Sequence, residues 1–181
     1  LPFLISGEAD VVGGWIEEFD SASGDLGKVR EVPTEYQDIL KFCKWRNPIN
    51  HVTLMFNKEA YDKVGGYSST RYNEDWELIL RMLIAGAIVR SIPEVLVNVR
   101  AGNSMIERRR ALPQFKREIE LLVFMYERRF INIFILCANI ILRVVLRILP
   151  SSVTTFVYMY LHKQHAMRHN YYFTYANCIL L

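Results

Sequence analysis

Cysteine is scarce in this chain. Among 181 residues only Cys43, Cys137 and Cys178 occur, odd in number and far apart. No CxxC pair and no Cys/His ligand spacing exists, which argues against a zinc site and against a disulfide scaffold and suits a reducing compartment. The three histidines near the C-terminus, His162, His165 and His169, step at helical intervals. They offer either a metal cluster or a solvated tail.

Acidic residues are also scarce, but only in residues 106–181. Residues 106–181 carry 4 Asp/Glu against 11 Lys/Arg, whereas residues 1–105 carry 15 against 11. The basic part is also the most apolar. That pairing points to an anionic membrane surface rather than to nucleic acid, which calls for basic residues interleaved with exposed aromatics on a soluble domain. Arg108-Arg109-Arg110 is the one short cluster of that kind, and no nucleic-acid partner is expected. A long apolar run is missing too. Phe130 to Leu142 is nearly all apolar, but such a run rises only about 20 Å against a hydrocarbon core of roughly 30 Å. Its polar residues, Asn132, Asn139, Arg143 and Arg147, fall on one narrow stripe. A helix lying in or dipping into the membrane interface is one reading, a helix buried in a protein core the other. Pro150-Ser151-Ser152 breaks it, and Val153 to Leu161 forms a second apolar piece. No signal peptide is visible at this start, which says nothing of any end the chain lacks. Leu1-Pro2-Phe3-Leu4-Ile5 reads as the middle of a longer protein, so the chain is expected to be a fragment.

What is present is an ordered α/β pattern, half hydrophobic and rich in aromatics, which excludes a disordered chain. Residues 10–19 read as a strand with a Gly13-Gly14 pair that permits a bulge or a close backbone approach. Ser21 to Gly27 is turn chemistry, and Val29 to Val32 a short returning strand. Pro33-Thr34 opens a helix with capping-box spacing between Thr34 and Gln37 and a stripe of Tyr36, Ile39, Leu40 and Cys43. His51 to Phe56 reads as a central strand. Lys58 to Val64 is a short helix stopped by Gly65-Gly66. Ala87–Ser91 and Val95–Arg100 read as two strands around Pro93. Pro113 suits the first turn of a helix with an apolar face of Phe115, Ile119, Leu122, Val123 and Tyr126. The alternation of strands and helices predicts an α/β fold with a mixed sheet.

The segment Tyr72-Asn73-Glu74-Asp75-Trp76-Glu77-Leu78 is chemically the most pointed. Two adjacent acids stand where a helix begins, followed by the stripe Trp76, Ile79, Leu80, Leu83 and Ile84, with Gly86 ending the run. Carboxylates in a first turn are favoured by the macrodipole and the orphan N–H groups. A carboxylate on a rigid element facing a cleft is also what a general base requires. Taken alone, the segment reads first as an ordinary acidic helix start.

Six short motifs then follow in order: Asn47-Pro48-Ile49-Asn50-His51, Met55-Phe56-Asn57-Lys58, Val64-Gly65-Gly66-Tyr67, Glu74-Asp75-Trp76-Glu77-Leu78, Arg81-Met82 with Gly86, and Ile92-Pro93-Glu94-Val95-Leu96-Val97 with Arg100 after it. Each is weak alone. Their order and spacing, over roughly residues 5 to 130, resemble the C-terminal half of family 2 bacterial glycosyltransferases of the amylovoran, capsule and O-antigen type.

The resemblance implies a partial GT-A fold with a mixed sheet, followed by amphipathic, membrane-associated helices. Residues 1–105 would be the acceptor and catalytic part, 106–129 a basic amphipathic helix, 130–161 apolar membrane-associated helices and 162–181 a tail. It implies an inverting transfer from a nucleotide-sugar donor to a glycan or polyprenyl-linked acceptor, at the cytoplasmic face of the bacterial inner membrane. Asp75 would be the base and Glu74 its acidic companion. His51, Gly66, Tyr67, Trp76 and Arg100 would contact acceptor or donor. Four of these have a plainer alternative, core packing for Trp76 and His51, a packing ring for Tyr67, simple exposure for Arg100. Mg or Mn is expected for the complete family enzyme, but the Asp-x-Asp motif that would hold it is absent here, so no metal ligand is assigned. The isolated piece is expected to be inactive. The competing reading is a non-catalytic, membrane-associated binding module.

Overall fold

The hub of the structure, a computed structural model that describes residues 2–69, 73–100 and 112–148, is strand β1 (Val11–Phe19). A single-turn helix α1 (Pro2–Ile5) precedes it. Along one edge β1 runs parallel to β4 (Val89–Arg100), from Val11 opposite Val89 to Phe19 opposite Arg100. Two short antiparallel partners share the other edge. β2 (Lys28–Arg30) lies beside Ile16–Glu18, and β3 (Met55–Phe56) beside Val11–Val12. The sheet is mixed, as the alternation of elements predicts. Val11, Val12 and Val89 are buried at its centre.

The glycine pair of β1 works by close approach. A Cβ on Gly13 would lie 2.6 Å from Ile49 Cγ2, and one on Gly14 would lie 2.4 Å from Leu96 Cδ1. The bare backbone lets Thr53 Oγ1 accept from Gly14 N–H at 2.9 Å and Asn50 Nδ2 donate to the Gly14 carbonyl at 2.8 Å. These bonds pin residues 49–53 against the strand. They also explain why His51 to Phe56 is not the central strand expected. His51–Thr53 is a 3₁₀ turn, and only Met55–Phe56 pairs as β3. The polar side chains that would alternate across a sheet are instead spent on Gly14.

Two other expectations change. The strands around Pro93 are one continuous β4 whose register slips between Ile92 and Val95 and again before Val97. Pro93 has no N–H to give a ladder, and a bulge is where a strand tolerates it. Helix α2 (Tyr36–Cys43) begins two residues later than Thr34, is preceded by Glu35 without a side-chain cap, and buries Ile39, Phe42 and Cys43. The Thr34–Gln37 capping box does not form, because the Thr34 carbonyl faces Ser91 N–H on β4 at 3.2 Å.

After α3 (Lys58–Lys63), helix α4 (Glu74–Ile84) carries the acidic pair. Trp76, Leu78, Ile79, Leu80, Met82 and Leu83 are buried along it, while Ile84 is exposed. The helix is thus enclosed more widely than a single stripe implies. Each fully buried Leu, Ile or Met contributes roughly 1.5–3 kcal/mol. Gly86, at φ +89°, closes it in a Schellman arrangement, with Gly86 N–H on Leu83 O and Ala87 N–H on Met82 O.

The chain divides into two compact units, Leu1–Leu121 and Leu122–Leu181, with the division inside α5 (Leu112–Glu127). On α5 the buried residues are Leu121, Leu122 and Met125, whereas Val123 and Tyr126 of the expected face are exposed. The second unit contains α6 (Ile133–Ile148), opened by Asn132 Oδ1 accepting from Ile135 N–H at 2.9 Å. Its polarity is inverted. Asn139 and Arg143 are buried, and Asn139 Nδ2 donates to Ile135 O while Arg143 donates to Asn139 Oδ1. Phe134 is 80% exposed and Ile148 77%, with Ile133, Ile141 and Val145 exposed as well. No described helix is long and apolar enough to cross a membrane. The Arg108-Arg109-Arg110 cluster, residues 153–161, the C-terminal histidines and Cys178 lie outside the described residues.

Candidate active site

Asp75 is the second residue of α4, whose N-cap Asn73 occupies the left-handed region at φ 58°. Asparagine tolerates that conformation better than most side chains, and the turn brings the chain abruptly into the helix. The Asp75 carboxylate is about one-quarter exposed, so it is held by protein yet reachable. Its Oδ1 accepts from Trp76 N–H at 2.8 Å, and its Oδ2 accepts from Asn47 Nδ2 at 2.7 Å. Asn47 Oδ1 in turn accepts from Ile49 N–H at 3.1 Å. That last bond settles which way the amide faces, since only its oxygen end can accept from Ile49 N–H, which turns the nitrogen end to Asp75.

His51 comes to the same carboxylate. Its Nδ1 lies 3.5 Å from Asp75 Oδ2, and half of the side chain is open to solvent. The ring of Tyr67 stands 6.2 Å from the His51 ring, tilted by 30°. Behind Tyr67 an aromatic series continues, through Tyr61 edge-on at 5.9 Å to Phe56 stacked on Tyr61 at 4.7 Å. Burial beside these rings pushes the Tyr67 phenol above its ordinary value, and the negative charge of Asp75 adds to it, followed by Tyr61 and Glu74. Tyr67 therefore keeps its proton at neutral pH and offers a hydroxyl donor and a partly exposed ring face next to the carboxylate.

Gly65 and Gly66 supply the turn before Tyr67, at φ +77° and +67°. Gly65 ends α3 as the sequence predicts. Gly66 packs closely against protein. It is buried, and a Cβ there would lie 2.6 Å from the Tyr61 hydroxyl. The space is filled by Tyr61, whose hydroxyl also accepts from Tyr67 N–H at 3.1 Å. Arg81, two turns along α4, donates to Val64 O at 2.6 Å and to Gly66 O at 2.7 Å.

The structure thus brings together His51, Tyr67 and Asp75, with Glu74 adjacent at the start of α4. Trp76 goes into the core: it is buried, and its indole N–H donates to Cys43 O at 3.1 Å. Arg100 ends β4 opposite Phe19, with its guanidinium over that ring at 5.4 Å, and no described contact joins it to Asp75. Asn47, Tyr61 and Arg81 are additions. The first and last fall inside the quoted motifs, but nothing local to them signals a contact across 28 residues for Asn47 or 15 and 17 for Arg81. Among the described residues, no group of three or more His, Cys, Asp or Glu side chains is placed to hold a metal ion. These residues therefore do not fit the divalent cation that the resemblance implies.

Curated bacterial proteins are similar to this chain. A UDP-Gal:alpha-D-GlcNAc-diphosphoundecaprenol beta-1,3-galactosyltransferase of Escherichia coli is 33% identical over 153 residues, which is 84% of this chain and 55% of that protein. An uncharacterized glycosyltransferase of Haemophilus influenzae is 34% identical over 83% of this chain and 56% of its own length. The amylovoran biosynthesis glycosyltransferase AmsE of Erwinia amylovora is 29% identical over 83% and 56%. No protein-family model matches the chain, and no solved structure matches it.

Proposed function

The chain is related in sequence to bacterial glycosyltransferases and spans about half the length of the curated relatives it matches, and on that premise we propose that it is the acceptor-binding and base-bearing part of an inverting sugar transferase of GT-A type. The observation that carries the reading is the Asp75 carboxylate. It is partly open, oriented by Asn47 and Trp76, and bordered by His51 and Tyr67.

A sugar hydroxyl is a poor nucleophile, so a carboxylate must take its proton as the new bond forms. In this reading the acceptor hydroxyl oxygen attacks the anomeric carbon of a nucleotide-sugar. Its proton passes to Asp75. The bond from the anomeric carbon to the diphosphate oxygen breaks, and the nucleoside diphosphate leaves with the electron pair. Attack from the face opposite that bond inverts the anomeric centre. Tyr67 offers a ring for the acceptor sugar to stack on, and its retained proton is a donor to a sugar oxygen. His51 offers a second polar contact. Glu74 adds negative charge at the mouth of the site.

The acceptor is proposed to be a glycan or a polyprenyl-linked sugar in surface-polysaccharide synthesis, by likeness to relatives whose names state diphosphoundecaprenol and amylovoran. Mg or Mn is proposed for the complete enzyme, bound outside the described residues, where it would neutralise the leaving diphosphate. The place of action proposed is the cytoplasmic face of the bacterial inner membrane. Product stereochemistry tests the mechanism. NMR of the transferred sugar from the full-length natural protein should show the anomeric configuration opposite to that of the donor, and retention would overturn it.

One observation favours a second reading, a membrane-associated module without catalysis of its own. Helix α6 buries Asn139 and Arg143 beside Leu136 and exposes Ile133, Phe134, Ile141, Val145 and Ile148, an arrangement suited to a lipid interface. The two readings are compatible in one protein. They part only if Asp75 proves dispensable.

A further inference from the structure

We infer that Arg81 is a positioning residue which fixes the Tyr67-bearing loop beside Asp75 and thereby sets how tightly an acceptor sugar docks; the inference rests on the reading of Tyr67 as an acceptor contact. Both neighbours of Tyr67 are tied to α4. On one side the Arg81 guanidinium spans two carbonyls, Val64 O at 2.6 Å and Gly66 O at 2.7 Å. On the other, Ser68 Oγ donates to Glu77 Oε2 at 2.8 Å. Glu77 Oε1 lies 3.4 Å from Arg81 Nε, so the two ties are themselves linked. The helix that presents Asp75 in its first turn thus also holds the loop, from about 9 Å further along its axis.

The loop needs such a holder. Gly65 and Gly66 are successive glycines at positive φ, the residue type with the most backbone freedom to lose. Their turn stays in one shape only if something fixes the flanking carbonyls. A planar fork of N–H donors does this, whereas an ammonium presents a single point and cannot span both oxygens in the same geometry. Arg81 commits both terminal guanidinium nitrogens to backbone carbonyls and turns Nε to Glu77, and no described contact joins it to Asp75 or to the Tyr67 ring. Its effect on catalysis is therefore indirect, through the angle and distance at which the Tyr67 ring meets an acceptor.

The test uses the full-length natural protein, with a nucleotide-sugar donor and a soluble glycan acceptor. Arg81→Lys is expected to raise the acceptor KM about tenfold while kcat and the slow hydrolysis of donor by water, measured without acceptor, stay within about twofold. Ser68→Ala, a milder release of the other tie, should raise the same KM by about threefold. In a Tyr67→Ala background the Arg81→Lys penalty should vanish, because the ring it positions is gone. An unmoved acceptor KM overturns the inference. So does an equal loss of transfer and hydrolysis, or a penalty that simply adds to that of Tyr67→Ala. If Arg81→Lys does not fold, Ser68→Ala alone decides by the same criteria. Wild-type protein that transfers no sugar sinks the functional reading and this inference together, whereas wild-type transfer with an unmoved KM sinks the inference alone.

Discussion

Asn47 and Asp75 stand 28 residues apart in the chain and are joined by a 2.7 Å hydrogen bond from amide to carboxylate. The amide is itself locked by Ile49 N–H, so the carboxylate is held in one rotation. In a general base that rotation decides whether a lone pair meets the acceptor hydroxyl. Asn47→Ala is therefore expected to lower kcat by about 10-fold to 100-fold, the scale of a small misplacement of a reacting group, with donor binding unchanged. Steady-state kinetics on the full-length protein check this.

Gly66→Ala meets two obstacles at once. The backbone is at φ +67°, and the added Cβ would lie 2.6 Å from the Tyr61 hydroxyl. A loss of roughly 1–3 kcal/mol is expected in urea denaturation. Tyr61→Phe keeps the stack on Phe56 but removes the acceptor for Tyr67 N–H, and should cost about 1 kcal/mol. Tyr61→Ala in the Gly66→Ala background should relieve the clash but not the backbone strain.

The acidic pair at a helix start, the Gly65 stop, the first strand with its closely approached glycine pair and the mixed sheet were all legible from local chemistry. What escaped was long-range. Nothing near His51 reveals that Asn50 and Thr53 bond to Gly14, and those bonds turn an apparent strand into a 3₁₀ turn that delivers His51 to Asp75. Trp76 shows the opposite limit. An aromatic residue beside a base suits a sugar platform, yet its place on the buried side of α4 and its bond to Cys43 O put it in the core. Phe42 likewise replaced Tyr36 and Leu40 in the buried set of α2, a choice made by the shape of the neighbouring elements.

The cysteines should differ sharply in reactivity. Cys43 is buried, and burial pushes its thiol up to about 12, while Cys137 is exposed. In a Cys178→Ser background, iodoacetamide at pH 8 should label Cys137 and leave Cys43 untouched until the protein unfolds. The raised thiol has a pH consequence. The folded state binds the Cys43 proton more tightly than the unfolded state, so this contribution is complete below about pH 9 and declines as pH rises toward 12. The slope is at most about 1.4 kcal/mol per pH unit. Cys43→Ala should flatten the alkaline fall of stability over that window, measured by denaturation at fixed pH values.

Helix α6 presents Phe134 and Ile141 outward. Replacing both with Asp should weaken flotation with vesicles containing anionic lipid by at least fivefold, each Asp forfeiting on the order of 1–2 kcal/mol of apolar burial. Far-ultraviolet circular dichroism should remain unchanged, since neither side chain belongs to the buried set. Unaltered flotation would place the membrane contact elsewhere.

The central claim is that Asp75 removes the acceptor proton. Asp75→Asn is nearly isosteric, and its amide cannot accept that proton. In the full-length natural protein the substitution should lower kcat for sugar transfer by about 10²-fold to 10⁴-fold, while the nucleotide-sugar Kd, measured by calorimetry, stays within twofold. Transfer by Asp75→Asn at the wild-type rate, with the protein folded and donor bound, would contradict the account.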